Sequence, residues 1–169
     1  MAYSFEQLKQ AYKNLGVEKD KIVLVSGNLA YLMEFETPGK KEVLGAHFRA
    51  LMELLGEGGT LVVPTGKVDL CNTDIIFNLE ETPSNMGVFS EYTRKKPGAI
   101  RSFHPFFSFT AIGKQAGEIC EDVTRHAYGP ETPMDRLIDM DALELSIGLH
   151  PRITGCIVHH IEMVMGVPY

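Results

Sequence analysis

A chain of 169 residues has room for one compact domain with its own core but not for two. With 44% hydrophobic and 22% charged residues it does not read as a disordered chain, and its formal net charge of −6 offers no basic stripe for a nucleic-acid backbone. The apolar runs at residues 22–25 and 61–64 are far too short to cross a bilayer.

Cys71, Cys120 and Cys156 have neither zinc-ribbon nor redox spacing. The N-terminus mixes Glu6, Lys9 and Lys13 among apolar residues and lacks the order of a signal peptide. A reduced, cytoplasmic protein is therefore expected, with neither nucleic acid nor membrane among its partners.

Ser4-Phe5-Glu6-Gln7 has the form of a capping box, and Leu8, Tyr12 and Leu15 follow at helical spacing up to Gly16. Residues 22–25 are fully apolar and rich in β-branched side chains, which suits a buried parallel strand. Residues 31–41, with Pro38 and Gly39, read as a loop. Val43, Leu44, Phe48, Leu51 and Leu55 mark one face of a helix, after which Gly56-Glu57-Gly58-Gly59 turns the chain into a second buried strand at 60–64. A long polar loop spans about 65–84, and 86–95 is compatible with a helix.

Residues 100–112 read as largely extended, interrupted by Pro105, and 114–126 return to helical periodicity. Thr132 is expected to cap a short helix that begins at Pro133. Residues 143–147 form a third strand and 154–165 a final helix. Strands alternating with helices, without internal repeats, imply an α/β fold: a single layered α/β/α domain over 1–169 with a mostly parallel central sheet.

Four histidines bear on chemistry. His159 and Glu162, at i and i+3, share one face of the final helix, and a carboxylate beside an imidazole orients the ring and raises its basicity. Such a pair suits a general base that takes a proton from an ammonium nucleophile; the plainer reading is a helix-surface ion pair. His160 points to another face and reads as an ordinary polar residue. His104, next to Pro105 in an aromatic stretch, fits either a satisfied core histidine or a residue held at a strand end facing a cleft.

His150, Cys156, His159, His160 and Glu162 are all zinc-type donors, but the HExxH pattern is absent and adjacent His159 and His160 diverge on a helix, so no metal is expected. The glycines at 56–59 and Thr65-Gly66-Lys67 lack the GxxxxGK[ST] and GxGxxG forms and read as turns.

Several ordered segments go further. Met86-Gly87, Pro97-Gly98, Arg101-Ser102, His104-Pro105, Ser108 and Ala111-Ile112-Gly113 follow one another in a single block. Gly58 to Thr65, Gly129 to Leu137, and His159-His160-Ile161-Glu162 with Gly166-Val167-Pro168-Tyr169 lie around it. In this order they resemble the signature segments of the aminoglycoside 3-N-acetyltransferase family, over nearly the whole chain.

The resemblance implies transfer of an acetyl group from acetyl-CoA, as co-substrate, to an amine of an aminoglycoside or amino-sugar. His159 matches the family's catalytic base, with Glu162 beside it. His104 and Ser108 match the block lining the active cleft and the coenzyme channel. Thr132 and the turn Ser26-Gly27-Asn28 are expected to help hold the coenzyme. The loop over 65–85 lacks a long acidic insert, which favours an amino-sugar of glycan synthesis over an antibiotic; Asp69 and Asp74 are its candidate contacts to a sugar amine.

The sequence also departs from the family. Ser26-Gly27 stands where a His-Ser pair is common, and Cys156 where a threonine commonly precedes the base by three residues. Family members continue past Gly-Val-Pro-Tyr, so the domain is expected to lack the family's C-terminal portion, with a homodimer as one way to cover the apolar surface this leaves. An inactive relative that binds coenzyme A or a partner, and a zinc hydrolase built on the C-terminal His, Cys and Glu residues, remain as alternatives.

Overall fold

The computed structural model describes residues 2–150 and 157–168. The capping box at Ser4 forms: its Oγ accepts from the Gln7 N–H at 3.3 Å, and Gln7 Oε1 accepts from the Ser4 N–H at 2.8 Å. This starts α1 (Phe5–Asn14). The elements β1 (Ile22–Gly27), α2 (Lys40–Leu55), β2 (Thr60–Pro64) and α3 (Val88–Arg94) follow. Short 3-10 turns at Leu29–Leu32 and Val68–Leu70 interrupt the two long loops. The second half contains β3 (Ile100–Arg101), β4 (Phe109–Gly113), α4 (Ala116–Cys120), α5 (Pro133–Asp139), β5 (Leu143–Ile147) and α6 (Ile157–Met165).

The strands form one five-stranded sheet in the order β3-β4-β2-β1-β5. Its core is parallel, β1 pairing with β2 on one side and β5 on the other. The β3-β4 flank is antiparallel, so the sheet is mixed about a parallel centre. Side chains alternate across it. Val23, Val25, Leu61, Val63, Leu145 and Ile147 face a core shared with α1 and α2, in which Leu51 and Leu55 are fully buried. Leu24, Val62, Phe109 and Ala111 face the opposite core with Ile119, Met134 and Leu137 from α4 and α5. Two apolar faces covered by two helical layers give the expected α/β/α sandwich.

The helix expected over 114–126 is much shorter. It stops at Cys120, where Glu121 turns to extended backbone (φ −93, ψ 157) and Asp122 takes φ +49; around this end Arg136 of α5 binds the carbonyl of Glu121 at 2.6 Å, that of Asp122 at 2.9 Å, and also that of Glu118. The last carbonyls of a helix have no partner within its own ladder, and the guanidinium supplies one. No described helix is long and apolar enough to cross a membrane.

Candidate functional site

Loops following the parallel strands gather at their C-terminal ends, the usual location of a site in an α/β sheet. After β1, Gly27 has φ +147, and a Cβ there would lie 1.9 Å from the Ile147 carbonyl oxygen, so β5 closes directly on its backbone. Ser26 is buried in the ladder, and the Asn28 side chain caps the following turn by accepting from the Ala30 N–H at 3.0 Å. After β2, the Thr65 N–H donates to Ser108 O at 2.7 Å and the Lys67 N–H to Pro105 O at 2.8 Å. These bonds dock the loop carrying His104 against the end of β2.

The structure settles the surroundings of His104. Its Nδ1 accepts from the N–H groups of Phe106 and Phe107 at 3.2 and 3.0 Å, which places the ring proton on Nε2. Burial, with a smaller contribution from His126, holds its pKa below the usual histidine value. The ring is therefore a neutral donor. A row of rings leads from it: Phe107 at 5.9 Å, Tyr128 at 5.3 Å from Phe107, and His159 at 5.8 Å from Tyr128. This row joins the two histidines of the signature segments and contains Tyr128, which sequence reasoning missed; lying just before Gly129-Pro130, it carries no motif of its own.

His159 and Glu162 form the expected pair, Nδ1 to Oε2 at 3.2 Å. The His159 side chain is 64% exposed. His160 corrects the sequence reading. It is 4% exposed, with Nδ1 accepting from the Gly129 N–H at 3.3 Å and Nε2 lying 3.5 Å from Asp135 Oδ1.

Two expected coenzyme contacts sit deeper than expected. Ser108 is fully buried and its Oγ accepts from Arg101 Nε at 3.1 Å. Thr132 is also fully buried: its hydroxyl donates to Gly129 O at 2.7 Å and accepts from the Asp135 N–H at 3.3 Å, capping α5 as expected. Both hydroxyls are occupied by protein partners. Asp69 pairs with Lys67 at 2.8 Å, and Asp74 lies exposed on the same loop. A cavity of about 800 Å³ lies behind this region, lined by Arg94, Arg101, Phe103 and Cys120, and is not lined by His104 or His159. Among the described residues no three His, Cys, Asp or Glu side chains converge as metal donors. Cys156 lies outside the described residues.

A model of the family described as aminoglycoside 3-N-acetyltransferase matches residues 36–169. The aminoglycoside N(3)-acetyltransferase IX of Micromonospora chalcea is 29% identical over an alignment 180 positions long that covers 95% of this chain and 62% of that protein. The apoenzyme structure of aminoglycoside acetyltransferase AAC(3)-IVa matches with a TM-score of 0.86 at 28% identity, over 100% of this chain and 64% of that one. The fold of AAC-IIIb, solved as a binary complex with CoASH, matches with a TM-score of 0.83 at 20% identity, over 96% and 65% of the two chains. The chain thus spans less than two thirds of the length of these relatives.

Proposed function

We propose that this chain, which belongs to the aminoglycoside 3-N-acetyltransferase family, carries the machinery for acetyl transfer from acetyl-CoA to an amine of an aminoglycoside or related amino-sugar. The observation that carries the reading is the His159–Glu162 pair, exposed at one end of a ring row whose other end holds a neutral histidine donor. CoASH bound to a relative of this fold supports the choice of co-substrate.

Bound acetyl-CoA would supply the activated thioester. Glu162, on Nδ1, keeps the His159 proton on that nitrogen and leaves Nε2 as the base. Nε2 removes the proton from the substrate ammonium. The freed amine would form the new C–N bond at the thioester carbon as the C–S bond breaks; the proton held on His159 would go to the departing thiolate, and the second proton of the amine nitrogen would go to solvent. His104 Nε2–H is the candidate donor to the oxygen on which charge develops. Phe107 and Tyr128 form the wall between the two histidines.

Ser26-Gly27-Asn28, at the end of β1, retains its proposed part in holding the coenzyme through backbone groups. Ser108 and Thr132 act by fixing the loops around it. Asp69 and Asp74 remain the proposed contacts to a cationic acceptor, in a cytoplasmic reaction. The exposed Val158, Ile161 and Met165 of α6 supply apolar surface for a homodimer, which sedimentation would detect.

Titration calorimetry with acetyl-CoA, followed by thiol release with apramycin or glucosamine as acceptor, tests the reading. Apramycin is the aminoglycoside bound to a variant of AAC(3)-IVa. Turnover with glucosamine but not apramycin places the substrate among glycan amino-sugars, as the lack of a long acidic insert over 65–85 suggests; the reverse places it among antibiotics. A folded protein that neither binds acetyl-CoA nor releases thiol contradicts the proposal.

A further inference from the structure

The sequence of α6, Ile-Val-His-His-Ile-Glu-Met-Val-Met, is mostly apolar, yet its one buried residue is a histidine. Val158, Ile161, Val164 and Met165 are all exposed while His160 is 4% exposed. An apolar helix that turns a polar ring inward does so for the bonds that ring makes, because burying an imidazole without partners is costly.

Those bonds go to one turn. The Gly129 N–H donates to His160 Nδ1 at 3.3 Å, which leaves the ring proton on Nε2, 3.5 Å from Asp135 Oδ1. The turn is itself locked: Thr132 Oγ1 donates to Gly129 O, and Asp135 Oδ2 accepts from the Glu131 N–H at 2.7 Å. Gly129 has φ +98, and a Cβ there would meet Met163 Sδ at 3.2 Å, so the glycine also admits α6 close to the turn. Successive residues on a helix are about 100° apart, so pinning His160 fixes the direction of His159. That direction carries His159 to Tyr128, the residue just before Gly129, at 5.8 Å between rings.

We propose that His160 is a positioning residue: through Gly129 and Asp135 it sets the rotation of α6 about its axis, and so aims His159 at the ring row. The proposal rests on the reading of His159 as the base, but its test does not require turnover.

The side-chain imidazole NMR signals of His159, assigned by their loss in His159→Ala, report the environment of that ring. In His160→Phe the His159 signals are expected to move toward those of a solvated histidine, with the rest of the spectrum folded. In His160→Asn, whose Oδ1 stands near the position of Nδ1 and accepts from Gly129, they are expected to stay close to the native positions. His160→Gln, which places its polar atoms near Nε2, is expected to move them. Where His160→Phe fails to fold, the contrast between the Asn and Gln variants decides the matter. Unchanged His159 signals in folded His160→Phe, or equal signals in the Asn and Gln variants, overturn the proposal.

In acetyl transfer from acetyl-CoA to whichever of apramycin and glucosamine the native chain acetylates, His160→Phe is expected to lower kcat more than tenfold, with less than threefold change in either KM, and His160→Asn to restore it. Full activity in His159→Ala would sink the reading of the base and leave the NMR result on His160 standing. A dead His159→Ala beside a fully active His160→Phe would sink the positioning role alone.

Discussion

The Nδ1 of His159 and Oε2 of Glu162 stand 3.2 Å apart across one turn of α6, at side-chain exposures of 64% and 30%. An ion pair this open contributes little to folding, about 1 kcal/mol at most. In the proposed reaction its part is to fix which imidazole nitrogen is basic. Glu162→Gln is therefore expected to lower kcat for acetyl transfer by about tenfold or more, while thermal unfolding stays within about 1 kcal/mol of the native chain.

A second histidine makes folding depend on pH. The Tyr3 hydroxyl donates to Leu32 O at 2.6 Å, so its oxygen accepts from His47 Nε2–H at 2.9 Å, and His47 Nδ1 accepts from the Tyr12 hydroxyl at 2.6 Å. This chain of bonds is complete only with a neutral ring, and burial lowers the His47 pKa to about 4. The folded pKa lies below the unfolded value of about 6.5, so the unfolded state binds more protons between the two. The stabilisation is fully present above pH 6.5 and is lost as the pH falls through about 4. Urea unfolding is expected to show a loss of about 2 kcal/mol between pH 7 and pH 5 from this residue, absent in the less stable His47→Leu.

Arg101 holds the other long loop. Its Nε donates to Ser108 Oγ, one terminal nitrogen to Leu79 O at 3.2 Å and Thr82 O at 2.6 Å, and the other to Thr65 O, with the Phe77 ring 4.9 Å away. Burial lowers its pKa to about 10, leaving it charged at neutral pH. Arg101→Ala removes the donors to three carbonyls at once and is expected to cost about 3 kcal/mol or more. Limited proteolysis should then cut within residues 66–85. Arg101→Lys, with a point charge in place of a fork, is expected to recover less than half of the loss.

Much of this architecture was legible in local chemistry. The capping box at Ser4, the β-branched runs that became β1 and β2, and the Thr132 cap before Pro133 are short-range signals, and each formed. Strand direction is not a local property: the alternation in Phe109–Gly113 is the same whichever way β4 runs, so its antiparallel pairing with β2 was not visible. Nor was the early end of α4, where Asp122 takes φ +49 and Arg136 of a later helix meets the carbonyls of Glu121 and Asp122. At the site, spacing alone paired His159 with Glu162. The burial of His160 was hidden because its partners, Gly129 and Asp135, lie 31 and 25 residues away and carry no motif that points to it.

The turn after β1 tolerates no side chain at Gly27. A Cβ would sit 1.9 Å from a backbone oxygen of β5, where no side-chain rotation relieves the clash, and φ +147 adds strain for any other residue. Gly27→Ala is expected to lower the melting temperature by more than 10 °C or to yield insoluble protein, measured beside Gly98→Ala, whose Cβ would meet nothing within 4 Å. Equal melting temperatures for the two variants would contradict this account of the β1–β5 closure.

The most direct test of the central claim is thiol release from acetyl-CoA with apramycin and with glucosamine, comparing the native chain with His159→Ala. A substitution at this exposed position should leave folding intact, so that circular dichroism of the two proteins superimposes. Acceptor-dependent release is expected from the native chain, with a fall in kcat of about 10²–10⁴-fold in the variant. Release that continues at the native rate in His159→Ala would contradict the claim.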